Sequence, residues 1–114
     1  MNSNEEIREE LRQPALDLRG LIPDVMKGFA SLSNAAMSPG ELEVGMKELL
    51  ALSIAVTREC DGCIVAHARG CVRNGITRQQ VAEAMGVAIL MNGGPGTVWG
   101  PRALRAYDEA SGAS

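Results

Sequence analysis

The chain places two cysteines, Cys60 and Cys63, shortly before its only histidine, His67. On a helix these residues occupy positions i, i+3 and i+7, so their side chains lie on one face. A cysteine in the first turn of a helix experiences the partial positive charge of unpaired N–H groups, and a neighbouring imidazole further stabilises a thiolate. A cysteine that peroxide oxidises to sulfenic acid can then be resolved by the second thiol as a disulfide. The spacing therefore predicts a redox-active dithiol.

Glu48 is the candidate proton carrier on the preceding segment. It stands at the edge of an apolar stretch, residues 49–56, that contains no charged residue. If the chain turns back after this stretch, the carboxylate can approach the cysteines and pass protons between water, His67 and a thiol. The alternative is a glutamate that extends into solvent from the edge of a helix, beside Lys47.

A metal site is the competing interpretation of the same residues. Four zinc ligands could come from Cys60, Cys63, His67 and either Cys71 or Glu48. Their placement on helices crowds a tetrahedron, and the chain offers no second ligand pair. We therefore expect neither a metal nor another cofactor, and we expect Cys71 to be a packing residue.

Composition restricts the class of protein further. The 114 residues suffice for a single domain, expected over residues 1–114, with one core. The net charge of −3, without a long basic run, argues against partners such as nucleic acid or an anionic membrane. No window reaches the roughly 18–20 apolar residues of a membrane span, and the first residues lack the order of a signal peptide. Three cysteines, two of them clustered, suit a reducing compartment, so we expect a cytoplasmic protein.

The elements that must position these side chains are helices, because no segment alternates with the period of a strand. Capping boxes, prolines at first-turn positions and glycine stops predict an all-α bundle of five or six helices. The expected helices are a charged one capped by Ser3 and closed by Pro14, one starting at Pro23, a central one from the Ser38 cap to about Thr57, one from Cys60 or Asp61 to Asn74, one from the Thr77 cap to Asn92, and one from Thr97 or Pro101 to Ala110.

In combination, Glu48, the Cys60-x-x-Cys63 pair and His67 on predicted helices, followed by an Asn-Gly stop, resemble the carboxymuconolactone decarboxylase family, specifically its alkylhydroperoxidase D-like branch. The resemblance covers about residues 23–107. It implies an oligomeric helical fold built around a hairpin and a peroxiredoxin-type activity on small organic hydroperoxides. A dihydrolipoyl-type or thioredoxin-like dithiol reductant would regenerate the site.

The resemblance also assigns roles to the site residues. It implies that Cys63 attacks the peroxide, that Cys60 resolves the product, and that Glu48 and His67 relay protons. The position of Cys60 at a helix start would instead favour this residue as the more exposed thiol. The resemblance decides for Cys63, because His67 lies one helical turn beyond it.

Two departures from the peroxidase prototype of that branch define the alternatives. Gly62 stands where the prototype has a histidine between its cysteines, and this chain carries one copy of the helical motif rather than two parts. The decarboxylase members act on a lactone and do not depend on a C-x-x-C. The alternatives to a hydroperoxide reductase are therefore a carboxymuconolactone decarboxylase-type lyase and a non-enzymatic thiol redox sensor.

Apolar surface predicts self-association. An apolar central helix and the small residues Ala82, Ala84, Gly86 and Ala88 present more apolar surface than one copy can cover. Closed symmetry is the usual result, and the resemblance implies a trimer or, for a single-motif chain, a hexamer.

Overall fold

The computed structural model describes residues 2–112 and contains six helices and no strand within that range. The helices are α1 (Asn4–Leu21), α2 (Pro23–Met37), α3 (Val44–Thr57), α4 (Asp61–Arg73), α5 (Arg78–Asn92) and α6 (Gly94–Ser111). The predicted all-α fold is confirmed. None of these helices has the length and apolar character that crossing a membrane requires.

The first helix is longer than predicted. Ser3 and Glu6 form the expected capping box, but α1 continues through Pro14 to Leu21. A proline inside a helix removes the bond to the carbonyl four residues earlier, here that of Glu10. Because Glu10 is exposed, water can bind its carbonyl, and the helix continues. The prediction that Pro14 closes this helix is wrong.

The start of the central helix also differs from the prediction. Ser38 ends α2 instead of beginning α3: it is the C-cap, and its hydroxyl donates to the carbonyl of Ala35 at 2.8 Å. Pro39 accounts for this, since a residue before proline is driven out of the helical region, and Ser38 has ψ 148°. The end at Thr57 agrees with the prediction.

The remaining boundaries largely follow the sequence signals. Thr77 caps α5 in a capping box with Gln80, and Gly75, with φ 76°, lies in the left-handed region after α4. The last helix begins at Gly94, earlier than predicted, because Pro95 occupies a first-turn position where its missing N–H breaks no bond. The glycine-rich segment therefore starts a helix as well as ending one.

The core lies between a hairpin of α3 and α4 and a second pair, α5 and α6, packed against it. Its buried side chains include Leu52 and Val56 on α3, Ile64 and Ala68 on α4, Val81 and Met85 on α5, and Ala103 and Ala106 on α6. The hydroxyl of Tyr107 donates to the carbonyl of Ile76 at 2.6 Å and ties the last helix to the turn before α5. By contrast, α2 contains no buried residue and contacts only α1 and α3.

Candidate active site

The turn between α3 and α4 brings the predicted site residues together. Arg58 and Glu59 reverse the chain, and Glu59 has φ 54°, a left-handed conformation that residues other than glycine rarely adopt. The N–H of Cys60 donates to the carbonyl of Ala55 at 3.1 Å. The second helix therefore starts directly beside the end of the first, as the predicted hairpin requires.

The two cysteines form a disulfide at the start of α4. Cys60 is the N-cap residue, and its sulfur accepts a hydrogen bond from the N–H of Cys63 at 3.3 Å. The Cα atoms of the pair are 5.3 Å apart. Their positions thus permit direct interconversion between a dithiol and a disulfide without movement of the helix.

Exposure distinguishes the two sulfur-bearing residues. Cys63 is exposed, whereas Cys60 is only partly exposed. The expectation from the helix start, that Cys60 would be the more exposed, is wrong. The reason is local: a capping side chain folds back over the first turn to accept its hydrogen bond, whereas Cys63 projects outward from that turn.

His67 and Glu48 form a hydrogen-bonded pair between the two helices. Nδ1 of His67 lies 2.8 Å from Oε2 of Glu48, and their side chains are 33% and 11% exposed. With Glu48 ionised, Nδ1–H donates to the carboxylate, which leaves Nε2 as the proton acceptor of the ring. The structure therefore disfavours the alternative of a Glu48 side chain extended into solvent.

An open cavity of about 530 Å³ connects the disulfide with the histidine. It is lined by Ala51, Ile54, Ala55, Arg58, Cys60, Cys63 and His67. The side chains that α3 contributes to it are apolar, and Arg58 lies in the turn after α3. Because Glu48 does not line the cavity, it can act on a molecule in the cavity only through His67.

Gly70 makes room for the carboxylate, a role that sequence reasoning missed. A Cβ atom at this position would collide with the carboxylate of Glu48. Gly70 is buried in the interior of α4, one turn beyond His67, where glycine is an unfavourable helix residue. A glycine inside a predicted helix, one turn beyond His67, was the feature of the sequence that could have indicated this role.

The collision can be tested by stability. We expect Gly70→Ala to lower the free energy of unfolding by about 1–3 kcal/mol, the usual range for overpacking. Gly86→Ala is the matched control, because Gly86 also lies inside a helix but has no atom within 4 Å of an added Cβ. It should stabilise the protein by about 0.5–1 kcal/mol through helix propensity. Urea denaturation measures both effects.

A second substitution identifies the colliding group. Because the obstacle is the Glu48 carboxylate, Glu48→Ala in the Gly70→Ala background should recover part of the lost stability. If the two losses simply add, the clash lies elsewhere.

Cys71 is separated from this chemistry. It is fully buried in the core and is the free cysteine of the described chain. Burial, with a smaller contribution from the negative charge of Glu48, raises the pKa of the Cys71 thiol to about 12. The thiol stays protonated near neutral pH and is a poor nucleophile, which agrees with the predicted packing role.

A metal-binding arrangement is not present in the described part of the chain. Between residues 2 and 112, no three His, Cys, Asp or Glu side chains are grouped so that they could hold a metal ion. The helical placement of the cysteines and His67, with two sulfurs joined to each other, accounts for this.

Comparison with known proteins identifies a family for the chain. Residues 23–107 match the model of the carboxymuconolactone decarboxylase family. An uncharacterized protein of Cupriavidus necator is 37% identical over 86 residues, covering 75% of this chain and 76% of that protein. An uncharacterized protein from the cox locus of Paracoccus denitrificans is 35% identical over 85 residues, covering 75% of this chain and 77% of that protein.

Solved structures show the same architecture. An apo carboxymuconolactone decarboxylase family protein from Legionella pneumophila superposes with a TM-score of 0.90 and 35% identity, covering 95% of this chain and 96% of that one. A protein from Thermotoga maritima superposes with a TM-score of 0.74 and 31% identity, covering 93% of this chain and 90% of that one. The match of the family model over most of the chain, with this fold, shows that the chain belongs to the carboxymuconolactone decarboxylase family.

Proposed function

We propose that the protein is a thiol-dependent hydroperoxide reductase of the cytoplasm. The observation that carries the proposal is the Cys60–Cys63 disulfide in a cavity shared with His67, whose ring is hydrogen-bonded to a nearly buried carboxylate. Such a dithiol beside a proton carrier has the groups that peroxide reduction requires. A carboxymuconolactone decarboxylase-type lyase would need no disulfide.

In the proposed reaction Cys63 is the nucleophile. Nε2 of His67 accepts the proton of the Cys63 thiol, and the resulting thiolate attacks the terminal oxygen of the hydroperoxide. The O–O bond breaks, and the departing alkoxide takes that proton from His67 and leaves as the alcohol. Cys63 is left as a sulfenic acid. The greater exposure of Cys63 and the position of His67 one turn beyond it support this assignment over attack by Cys60.

Cys60 completes the oxidative half of the cycle. Its sulfur attacks the sulfenic sulfur of Cys63, hydroxide leaves and is protonated to water, and the disulfide forms. A dithiol reductant then breaks the S–S bond and becomes a disulfide itself. The apolar α3 wall of the cavity favours a small organic hydroperoxide as the substrate.

The direct experiment is peroxide consumption with dihydrolipoamide as reductant and cumene hydroperoxide as substrate. Repeated turnovers per chain would support the reductase. Decarboxylation of carboxymuconolactone without peroxide consumption would instead identify a lyase. A disulfide that forms and is reduced once, without continuing turnover, would indicate a redox sensor.

We further propose that the active form is a closed oligomer of this chain, a trimer or a hexamer. The reason is α2, which exposes 63% of Val25, 58% of Phe29 and 67% of Leu32 along one stripe. A helix of 15 residues is marginal in water unless its apolar face is packed. The small residues of α5 contribute less than predicted, because Ala88 is buried within the monomer.

The stripe gives a direct test of assembly. We expect Phe29→Glu to shift the molar mass at low micromolar concentration from a multiple of 12.0 kDa to that of one chain. Asn34→Glu adds the same charge on the opposite side of α2 and should leave the mass unchanged. Light scattering coupled to size exclusion distinguishes the outcomes. A wild-type monomer with full activity would refute the oligomer.

A further inference from the structure

A buried arginine is bonded to the first residue of the helix that carries the disulfide. Arg102, on α6, is only 3% exposed, and its Nε donates to Oδ1 of Asp61 at 2.9 Å. Its other two nitrogens, Nη1 and Nη2, are buried and have no hydrogen-bond partner among residues 2–112. Asp61 is the first residue of α4 and follows Cys60 directly. The guanidinium is therefore held at the helix turn that carries the two cysteines.

Burial of this charge and of two unpaired nitrogens destabilises the folded protein unless another group interacts with them. Buried N–H donors without acceptors are rare in folded proteins and destabilise them. A positive charge at the start of a helix also adds to the positive end of the helix dipole instead of opposing it. Asp61 offsets part of this charge, but it accepts a hydrogen bond from Nε alone, so the same guanidinium can stabilise a second negative charge at this turn. Reduction of the disulfide creates such a charge.

We propose that Arg102 is a positioning residue for the dithiol, whose buried charge stabilises the thiolate formed when the Cys60–Cys63 disulfide is reduced. The inference rests on the proposed cycling of this pair. When a dithiol reductant supplies two electrons, the S–S bond breaks and the reductant becomes a disulfide. Of its two protons, one stays on a sulfur of the pair and one is released, so one sulfur remains as thiolate.

Other charged side chains also surround the pair: Arg8, Arg12 and Arg69 line a second cavity against Gly62, which lies between the two cysteines. Arg58 and His67 share the cavity with the cysteines, and Glu48 binds the far side of the imidazole. Asp61 differs because it is the partner of Arg102 and carries the opposite charge. Removing Arg102 leaves the Asp61 carboxylate beside the thiolate, whereas removing the carboxylate leaves Arg102 unneutralised.

The two substitutions therefore act in opposite directions. We expect Arg102→Met to move the pH midpoint of cysteine alkylation by iodoacetamide upward and to make the pair harder to reduce. Asp61→Asn should move the midpoint downward and make the pair easier to reduce. Each change should alter the equilibrium with glutathione about tenfold, which is about 30 mV for a two-electron couple. The double variant should lie between them.

Matched variants distinguish an electrostatic role of Arg102 from a purely structural one. Arg102→Lys keeps the charge and should retain most of the wild-type potential, whereas a purely structural role would make it resemble Arg102→Met. Arg73→Gln, which changes a charge at the opposite end of α4, should leave the potential unchanged. The Cys71→Ala background confines alkylation to the pair.

The readouts distinguish this inference from the proposed function. Shifts of the same sign in Arg102→Met and Asp61→Asn, or no shift in either, would overturn the role of Arg102 even if the protein reduces peroxide. Opposite shifts in a protein that fails to consume peroxide would support the role while refuting the reductase. A pair that cannot be reduced in the folded protein would refute both.

Discussion

Replacement of Cys63 by serine is expected to reduce peroxide consumption with dihydrolipoamide to the uncatalysed rate. Without this sulfur there is no nucleophile to receive the peroxide oxygen, and Cys60, less exposed and folded over the helix start, cannot substitute for it. The loss should exceed that of any other single substitution. The concentration of peroxide itself is measured, so that the result does not depend on detecting oxidation of the reductant.

Cys60→Ser is the informative companion to this variant. Without added reductant it should still consume about one equivalent of peroxide per chain and then stop, with Cys63 trapped as a sulfenic acid that a dimedone adduct detects. Cys71→Ala controls for the loss of a thiol and should retain turnover, because Cys71 lies in the core. If Cys60→Ser abolishes the first equivalent while Cys63→Ser permits it, the roles of the two cysteines are reversed.

The second large effect is expected from Glu48→Gln and His67→Ala. Each should slow peroxide turnover by about one to three orders of magnitude, the contribution of general acid–base catalysis. The pair shares a hydrogen bond of 2.8 Å, so loss of either partner removes the oriented proton carrier from the cavity. The double variant should be little slower than the slower single one, because the two residues act as a unit.

Glu41→Gln is the control for these variants. It removes one carboxylate charge from an exposed position in the loop before α3 and should leave turnover unchanged. Circular dichroism establishes that each variant has retained its helices. Wild-type rates in both Glu48→Gln and His67→Ala, with native spectra, would remove the proton relay from the mechanism.

Much of the fold could be predicted because its signals are local. The Ser3–Glu6 and Thr77–Gln80 capping boxes and the glycine stop at position 75 depend only on neighbours in sequence, and all three are present. The spacing of Cys60, Cys63 and His67 likewise determines that they share a helix face. The position of Glu48 at the edge of the apolar stretch added it to this group, and the family resemblance implied the same.

What the sequence alone did not predict depends on contacts between distant segments or on the choice between two local outcomes. The predictions for Pro14 and Ser38 were wrong because a proline can end a helix or lie inside it, and a serine can cap the end of one helix or the start of the next. Gly70 and Arg102 were missed because their roles require knowing which atoms face them: the Glu48 carboxylate for one and Asp61 for the other. The periodicity of apolar residues in a sequence carries no information about such contacts.

The separation of the two cysteines also decides what the disulfide contributes to the folded chain. A bond between residues three positions apart closes a very small loop, and in the chain-entropy model it restricts the unfolded state by only about 2 kcal/mol. The same turn is already held by the helix, since the N–H of Ile64 donates to the carbonyl of Cys60 at 2.9 Å. Opening the bond therefore releases few conformations. In the proposed cycle the turn exchanges electrons repeatedly while the rest of the bundle stays in place, which suits a catalyst better than a sensor that must signal oxidation by changing shape.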